Sequence, residues 1–465
     1  MSTRDRALVD QVNDVSPSAR RRAASACVVA VGLIIGSLMM IATAGAADAA
    51  GPRLEYVGKQ VFIATPKRGV NLKAWSYYTQ PTGLELFCRY SHQVRSDSVE
   101  VAFEKYSPDN GRTWGEPVEV PTKQKVAGGV LRFGERPGFA DPETGVLVIF
   151  GGSVLLPNDN PLEAMSRGRP GYKLSRDGGR TYFHEANVVH VGDEFNEDHP
   201  LPGVWFGKNS VQVGDLGCRM IKLRSGELLQ PVQITPVGPD GKYYNPGGGY
   251  TYHNSAALIA TWNQQGTLDW RMSQLVEGDP KLTTRGVLEP TVAEFPDGRL
   301  LMVMRGSNDT GGKLKGYRWH SISTDAGKTW SKPTPWQYDG GETFYSPSSC
   351  STLISHSSGR VVWIGNISPK NPRANYPRHP LVAGFVDPQS LQLIKESVVS
   401  IDTLRDGDHR LTTFSNFYVR EDRETKELLI YCPPIGQKHP LSNNDPKVGR
   451  EWTADTIEYR VAVKP

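Results

Sequence analysis

One predicted hairpin carries a glutamate near its start and an arginine at its end. Residues 288–305 read LEPTVAEFPDGRLLMVMR, with Glu289 and Arg305 on either side of a Pro-Asp-Gly turn at 296–298. A tight turn folds the second strand back on the first, so we expect Glu289 and Arg305 at the same end of one sheet. A carboxylate beside a guanidinium is typical of functional sites, and also of structural ion pairs at strand ends.

The turns that connect such strands are marked by a repeated motif, the Asp-box. Three segments follow the pattern Ser-x-Asp-x-Gly-x-Thr-aromatic: Ser107–Trp114, Ser175–Tyr182 and Ser323–Trp330. In this motif the aspartate accepts hydrogen bonds from the backbone of its own turn, the glycine adopts a left-handed φ, and the aromatic ring packs onto the flanking strands. The motif therefore predicts a β-hairpin corner with a structural role and no chemistry of its own.

A second repeat, a turn followed by an apolar strand, occurs six times. Its copies begin at Thr82, Thr144, Ser225, Asp297, Ser358 and Lys426, so successive copies lie about 60 to 80 residues apart. Each interval is long enough for one four-stranded blade with loop insertions, which predicts an all-β, six-bladed β-propeller with Asp-box turns. The chain lacks long amphipathic segments of period 3.6, which argues against a helical solenoid.

The N-terminal region is predicted to be a secretory signal peptide over residues 1–49. Three arginines at Arg20–Arg22 precede an apolar stretch from Cys27 to Ala44, and small residues follow it. This order is typical of an export signal, with cleavage before Ala50. The arginines suggest the twin-arginine route, and the length of the apolar stretch leaves a membrane anchor as the alternative. We therefore expect a secreted or periplasmic protein whose residues 50–465 form one propeller domain without a membrane segment.

Composition restricts the partners of the chain. The 465 residues include 53 Lys and Arg against 49 Asp and Glu, and residues 50–465 contain no run of basic residues of the kind that follows a phosphate backbone. We therefore expect no nucleic-acid partner. The predicted domain has four widely spaced cysteines, which fit either two disulfides or buried free thiols and do not have the spacing of a metal site. They are Cys88, Cys218, Cys350 and Cys432.

From about residue 60 to 460, the chain resembles the sialidases (neuraminidases) and their bacterial relatives with Asp-box repeats and a six-bladed propeller. The hairpin at 288–305 is the most specific part of this resemblance. In that family, a glutamate that starts one strand and an arginine that ends the next both point into the central funnel. The resemblance thus implies that Glu289 and Arg305 belong to an active site.

The resemblance also implies a second arginine and a catalytic aspartate. The family places its last substrate-binding arginine between an Asn-ending strand and the next strand, where Arg378 fits best and Arg373 is the second choice. Its acid/base aspartate lies on a loop before the first Asp-box, where this sequence has Asp97. Glu100 and Glu104 compete for that role, but strand alternation places them on the face opposite the neighbouring apolar residues, so Asp97 is preferred.

At two positions the chain departs from the family pattern. Where the family has its leading arginine, the sequence has Lys73, which keeps the positive charge but loses the bidentate fork of arginine. Where the family has a nucleophilic tyrosine, the sequence has Phe414, and a phenyl ring is not a nucleophile. Tyr418 is the preferred substitute, with an ordinary position in a strand as its alternative role, and Tyr345 is a weaker substitute.

The family's mechanism follows from the charge of its substrate. Sialic acid carries a carboxylate on its anomeric carbon, which arginine forks bind well and which repels a carboxylate nucleophile. Sialidases therefore use a tyrosine activated by a glutamate, and an aspartate protonates the leaving oxygen. Mapped onto this chain, Glu289 activates Tyr418, and Asp97 is first acid and then base. The carboxylate is then held by the three cations Lys73, Arg305 and Arg378.

The sequence thus predicts a secreted glycoside hydrolase resembling an exo-α-sialidase, which releases a terminal acidic sugar from glycans without a cofactor. Two alternatives stay open. One is a hydrolase or lyase for uronic-acid polysaccharides, with His253 or His379 as a proton carrier. The other is a propeller that binds glycans without catalysis. A tyrosine hydroxyl next to Glu289 favours the sialidase route, and Phe414 facing Glu289 favours the alternatives.

Overall fold

A computed structural model describes residues 51–97, 99–160, 166–207, 210–249, 251–308, 313–438 and 452–465. The predicted signal peptide at 1–49 lies outside these residues. Across the described residues six antiparallel sheets form the blades of a β-propeller, which confirms the predicted fold class. These residues contain one 3-10 turn at Lys395–Ser397 and no α-helix.

The first three blades follow one another along the chain, after an initial strand β1 (Arg53–Ile63). Blade 1 consists of β2 (Asn71–Tyr78), β3 (Leu86–Gln93), β4 (Val101–Ser107) and β5 (Val118–Val120). Blade 2 consists of β6 (Lys123–Val126), β7 (Gly129–Glu135), β8 (Phe139–Ala140), β9 (Leu147–Leu156), β10 (Ser166–Ser175) and β11 (His184–Asn187). Blade 3 consists of β12 (Val211–Gln212), β13 (Ile221–Lys222), β14 (Leu228–Ile234), β15 (Asn254–Trp262) and β16 (Leu268–Met272).

The last three blades complete the ring. Blade 4 consists of β17 (Leu288–Glu294), β18 (Leu300–Arg305), β19 (Arg318–Ser323) and β20 (Thr334–Pro335). Blade 5 consists of β21 (Thr352–Ser355), β22 (Val361–Asn366), β23 (Leu381–Phe385) and β24 (Val399–Asp402). Beside a short ribbon of β25 (Thr413–Phe414) and β28 (Pro434–Ile435), blade 6 consists of β26 (Tyr418–Glu421), β27 (Leu428–Cys432), β29 (Thr456–Lys464) and the initial strand β1.

The strands that start the blades surround the axis of the propeller. β2 contacts β26 on one side and β8 on the other, and β17 contacts both β14 and β21. In blade 6 the order from the inside outwards is β26, β27, β29 and β1. The first strand of the described chain is therefore hydrogen-bonded to the last one, which closes the ring.

Both sequence repeats occupy equivalent places in the blades. Each Asp-box leads into the outermost strand of its blade from the neighbouring strand, namely from β4 to β5, from β10 to β11 and from β19 to β20. Each copy of the second repeat is the turn that leads into the third strand from the outer edge of a blade. These strands are β3, β9, β14, β18, β22 and β27. Five of these turns have a glycine with positive φ, and the sixth has Lys426 at φ 61. The predicted hairpin corners and the count of six units are thus confirmed.

The hydrophobic core lies between neighbouring blades. Second strands such as β18 (LLMVMR) are buried along their whole length because a blade covers each of their faces. Each hydrophobic cluster contains residues of two neighbouring blades, for example Phe150 and Val232, Leu229 and Val292, Leu301 and Trp363, Val362 and Val419, and Tyr431 and Trp75. This packing holds the inner strands in place, so that residues at their ends converge at the axis.

Candidate functional site

Glu289 and Arg305 form an ion pair at one end of blade 4. Arg305 Nη1 donates to Glu289 Oε1 at 2.7 Å, and both side chains are largely buried. Glu289 has a left-handed φ of 48° at an irregularity in the pairing of β17 with β18. Its backbone N–H donates to Gln233 Oε1 of β14 at 3.0 Å, which supports the turned backbone. The hairpin predicted from the sequence thus brings the two residues together as expected.

The second carboxylate oxygen of Glu289 is available. Glu289 Oε2 is buried and has no hydrogen-bond partner within the part of the chain that the structure describes. A buried acceptor without a partner costs free energy, about 1–3 kcal/mol for a polar group, so such atoms are rare in folded proteins. Glu289 also lines a central cavity that can hold a ligand.

The two predicted arginines are joined through Ser348. Arg305 Nε donates to Ser348 Oγ at 2.8 Å, and Arg378 Nη2 donates to the carbonyl of the same serine at 2.9 Å. Arg305 Nη2 donates to Asn375 Oδ1 at 3.1 Å. Burial lowers the pKa of Arg305, but the Glu289 carboxylate outweighs this effect and raises it overall. The nitrogens of Arg305 are therefore already engaged by protein acceptors.

Lys73 pairs with an aspartate that the sequence analysis did not identify. Lys73 Nζ donates to Asp215 Oδ1 at 2.5 Å, and Asn416 Nδ2 donates to Asp215 Oδ2 at 2.5 Å. Asp215 is 5% exposed. Burial opposes ionisation of this carboxyl, but Lys73 outweighs it and lowers the pKa of Asp215 to about 2. The only signal for Asp215 in the sequence is its place in a Gly-Asp-Leu-Gly segment at 214–217, which belongs to neither repeat.

A cavity of about 340 Å³ lies where the inner strands of the blades meet. Residues of blades 1, 2, 3, 4 and 6 line it, and they include both acidic and basic side chains. Three of the predicted site residues line it, together with residues that the sequence analysis missed. The polar lining nearest to the ion pairs described above consists of Lys73, Asp97, Asp215, Gln233, Glu289 and Asn416.

Asp97 lies at the exposed rim of this cavity. Its φ is 58°, and Ser96 Oγ donates to Asp97 Oδ2 at 2.9 Å. Arg285, on the loop before β17, is among the groups that interact electrostatically with Asp97. The aspartate predicted as the acid therefore shares the cavity with Glu289, on the side where solvent enters.

Tyr418 lies in the hydrophobic core next to the cavity. It is 2% exposed and packs in a cluster that includes Trp75, Leu216 and Tyr431. The guanidinium of Arg219 lies 5.3 Å from the centre of its ring. Among the described residues, the cavity lining includes Asn416 and does not include Tyr418. The role of Tyr418 as a nucleophile stays a prediction.

Phe414 and Tyr345 also lie away from the cavity lining. Phe414 is fully buried in β25, within the hydrophobic cluster between blades 5 and 6. Tyr345 stacks on Tyr317 with 6.1 Å between ring centres. Arg373, the second choice for the last arginine, is exposed, whereas Arg378 is partly buried beside Ser348.

Two further arginines near Glu289 were not predicted. Arg318 is fully buried and donates to the carbonyl of Ser349 at 2.8 Å, while Arg285 donates to Thr251 Oγ1 at 2.6 Å. Burial lowers the pKa of each to about 10, and each interacts electrostatically with Glu289. Glu289 is thus surrounded by guanidinium groups from several segments of the chain.

The two histidines of the uronic-acid alternative are both held neutral. His253 is 2% exposed with no hydrogen bond to either ring nitrogen, and burial lowers its pKa to about 3. Burial also lowers the pKa of His379. In the described part of the domain, the four cysteines are buried free thiols, so the disulfide alternative is not realised there.

The described ranges contain neither a metal-binding cluster nor a membrane-spanning helix. No group of three or more His, Cys, Asp or Glu side chains there is arranged to hold a metal ion. Nor do these ranges contain a helix with the length and apolar character needed to cross a membrane.

Solved structures share the fold at low sequence identity. A protein of unknown function from Dyadobacter fermentans has a TM-score of 0.54 and 14% identity, over 89% of this chain and 100% of its own. NanB sialidase from Streptococcus pneumoniae has a TM-score of 0.53 and 13% identity, over 87% of this chain and 70% of its own. The intramolecular trans-sialidase of the leech has a TM-score of 0.53 and 12% identity, over 88% of this chain and 70% of its own. At these identities the likeness concerns the fold.

Sequence comparison identifies the family. Among curated proteins, none is similar to this chain in sequence. The profile of the BNR repeat-like domain matches residues 139–393, from the start of β8 in blade 2 to the segment before β24 in blade 5. Because this match covers more than half of the 465 residues, the chain belongs to the BNR repeat-like domain family.

Proposed function

We propose that this protein is a secreted glycoside hydrolase that releases a terminal acidic sugar from glycans, as an exo-α-sialidase does. The observation that carries the proposal is the carboxylate of Glu289. One oxygen is held by Arg305, and the other is buried and has no partner among the described residues, while the residue itself lines the central cavity. A carboxylate that is oriented by one partner and unpaired at its second oxygen is suited to proton transfer with a bound ligand.

Positive charge around the site supports an acidic substrate. Arg285, Arg305, Arg318 and Arg378 are linked to Glu289 or to one another by hydrogen bonds or electrostatic interactions. An anionic sugar in the cavity would be attracted by this concentration of guanidinium groups. The sialidases that share the fold are consistent with this class of substrate.

The residues of the cavity suggest how the reaction would proceed. Asp97 gives its proton to the leaving oxygen as the glycosidic C–O bond breaks. Asp215, held ionised by Lys73, stabilises the positive charge that develops on the sugar. Water then adds its hydroxyl to the anomeric carbon and gives its other proton to Glu289, while Asp97 regains a proton from solvent.

The buried position of Tyr418 favours one alternative function, a propeller that binds an acidic glycan without cleaving it. In the sialidase route Glu289 would activate Tyr418, but this ring packs in the core behind the cavity lining. If no other group replaces the tyrosine, the cavity binds an acidic glycan without cleaving it. A route through the two carboxylates Glu289 and Asp215 retains hydrolysis without any tyrosine.

The test is release of a fluorescent aglycone from a panel of α-sialosides and β-uronides. We expect the wild type to cleave a sialoside, and Glu289→Gln to lower kcat by about 100-fold or more. The matched control is Glu294→Gln, at the far end of the same strand, where Glu294 accepts from the backbone of Arg224 outside the cavity. Cleavage of uronides alone would refute sialic acid as the acidic sugar, and no cleavage of any member would refute the hydrolase.

A second variant separates the two routes of hydrolysis. Tyr418→Phe removes only a hydroxyl and should leave the packing of the core unchanged. If Tyr418 is the nucleophile, sialoside cleavage falls by several orders of magnitude. If the carboxylates carry the reaction, cleavage stays within a few-fold of the wild type while Asp215→Asn abolishes it.

A further inference from the structure

Arg136 lies at the boundary between blades 2 and 3 on the wall of the central cavity. It follows β7, and its Nη2 donates to the carbonyl of Gly214 at 2.9 Å, next to Asp215. Nη1 makes a long contact of 3.4 Å with the carbonyl of Glu135. Its Nε is buried and has no hydrogen-bond partner in the described residues.

Arg136 differs from every other cation that lines the cavity in the described ranges. Each of the others has a carboxylate partner within 4 Å. These pairs are Lys73 with Asp215, Arg89 with Glu104 and Glu135, Arg132 with Asp159, and Arg169 with Glu197. The protein provides Arg136 with backbone carbonyls only, so its charge is not neutralised by an ion pair.

An uncompensated guanidinium at the wall of a cavity is costly in the free protein. Burial lowers its pKa, which reflects the loss of hydration, although Asp215 and Glu289 interact with it at longer range. Such a cost is removed when an anion binds, because arginine forms short, paired hydrogen bonds with a carboxylate. The cavity beside Arg136 is open to a ligand, and Nε is a donor that no atom of the described residues uses.

The predicted carboxylate clamp is less suitable for this task. The nitrogens of Arg305 are engaged by Glu289, Ser348 and Asn375. A substrate carboxylate would have to displace these acceptors, one of which is the proposed acid/base residue. Arg136 requires no such displacement.

Gly214 links Arg136 to the two acidic residues of the proposed reaction, Glu289 and Asp215. A Cβ at this glycine would lie 3.1 Å from both Cα and Cγ of Glu289, so the Gly214 backbone packs directly against Glu289. Arg136 is bonded to the carbonyl of Gly214, and Asp215 is the next residue. A carboxylate bound by Arg136 therefore lies near both Glu289 and Asp215.

We propose that Arg136 is the residue that binds the carboxylate of the acidic sugar, and that it does so in place of the predicted pair Arg305 and Arg378, neither of which lines the cavity. This inference rests on the proposed function for the class of ligand, but not for its turnover. It assigns the ligand's carboxylate to the part of the cavity wall where blades 2 and 3 meet.

Binding measured without turnover tests this inference. The probes are N-acetylneuraminic acid, glucuronic acid and the neutral sugar N-acetylglucosamine, titrated calorimetrically into the wild type, Arg136→Met and Arg136→Lys. We expect Arg136→Met to lower affinity for the bound acid by about 30-fold or more, because it leaves the ligand's charge unpaired. Arg136→Lys should recover part of this loss, and binding of the neutral sugar should not change. The matched control is Arg271→Met, on the exposed outer strand of blade 3.

The outcomes separate this inference from the proposed hydrolase. Equal affinity of wild type and Arg136→Met for the acids overturns the role of Arg136, whether or not glycosides are cleaved. No binding of either acid by the wild type overturns it as well. Selective loss of acid binding in Arg136→Met supports it even if no glycoside is turned over, and in that case only the hydrolase fails. Thermal unfolding checks folding, and we expect Arg136→Met to be at least as stable as the wild type because it removes an unpaired charge.

Discussion

At the scale of single residues, the partners of each charge decide which groups can act on a ligand. Asp215 accepts hydrogen bonds on both oxygens and is ionised, so it acts on a ligand through its charge. Within the ranges that the structure describes, Glu289 has one oxygen without a partner, which suits proton transfer. In the same ranges Arg136 has an Nε without a partner and no carboxylate partner, which suits binding of an anion. Residue type alone does not distinguish these roles.

The Asp215–Lys73 pair predicts how stability depends on pH. The pKa of Asp215 is lowered to about 2 in the folded protein. Its ionised form therefore contributes fully to the free energy of unfolding above the ordinary pKa of an aspartate, and this contribution is lost as the pH falls towards 2. We expect the difference in free energy of unfolding between wild type and Asp215→Asn to shrink by about 1 kcal/mol from pH 6 to pH 3. Urea unfolding of both proteins at the two pH values measures this. A difference independent of pH would show that the pair does not lower this pKa.

At the scale of secondary structure elements, three blades use the same hydrogen bonds to build their outer corner. In each Asp-box the serine hydroxyl donates to one aspartate oxygen, the threonine hydroxyl donates to the other, and the glycine N–H donates to the serine. These bonds satisfy polar groups of a turn that cannot form ladder hydrogen bonds. They lie at the periphery and far from the cavity, in agreement with a structural role.

Asp325 in the third Asp-box is a direct test of that role. Asp325→Ala removes acceptors for Ser323 Oγ and for both the backbone and the hydroxyl of Thr329. We expect a loss of about 1–2 kcal/mol in the free energy of unfolding, with glycoside cleavage or ligand binding retained. Thr324→Ala, an exposed change in the same turn, should stay within about 0.5 kcal/mol of the wild type. Equal stability of the two variants would contradict the structural assignment.

At the scale of the whole molecule, the propeller depends on the joining of its two ends. β1 lies outermost in blade 6 and pairs with β29 over its whole length. Leu54 of β1 is buried in the cluster between blades 5 and 6, and Lys59 is paired with Asp402 of blade 5. The closing strand therefore connects two blades, and the cavity at the axis depends on this closure because its lining comes from several blades.

Removal of β1 tests this dependence. A protein that starts at Ala64 loses the strand and leaves the edge of β29 exposed, whereas a protein that starts at Gly51 keeps it. Loss of the buried Leu54 side chain alone costs about 2–5 kcal/mol, and an open edge favours aggregation. We expect the shorter protein to melt at a clearly lower temperature and to self-associate, as measured by differential scanning calorimetry and light scattering. Identical melting of the two proteins would mean that closure by β1 does not stabilise the ring.

How far the sequence predicted the site depended on the separation of its residues along the chain. Glu289 and Arg305 are 16 residues apart on one hairpin, so the turn between them was enough to predict their contact. Lys73 and Asp215 are 142 residues apart and come from blades 1 and 3. No local rule relates them, and the same is true of Arg136 and the backbone of Gly214. The position of Tyr418 was uncertain for another reason, since the face on which a strand residue lies depends on the packing of its blade.

The sequence by itself determined the six repeated units, the Asp-box corners and the hairpin that joins Glu289 to Arg305. These features depend on φ preferences, hydrogen bonds within a turn and alternation along a strand, which act over a few residues. Only the tertiary structure decided that Asp215, Asn416 and Arg136 share the cavity and that Tyr418 is in the core. The physical reason is that these contacts exist only after the blades pack into a closed ring, which brings together segments that no local interaction connects.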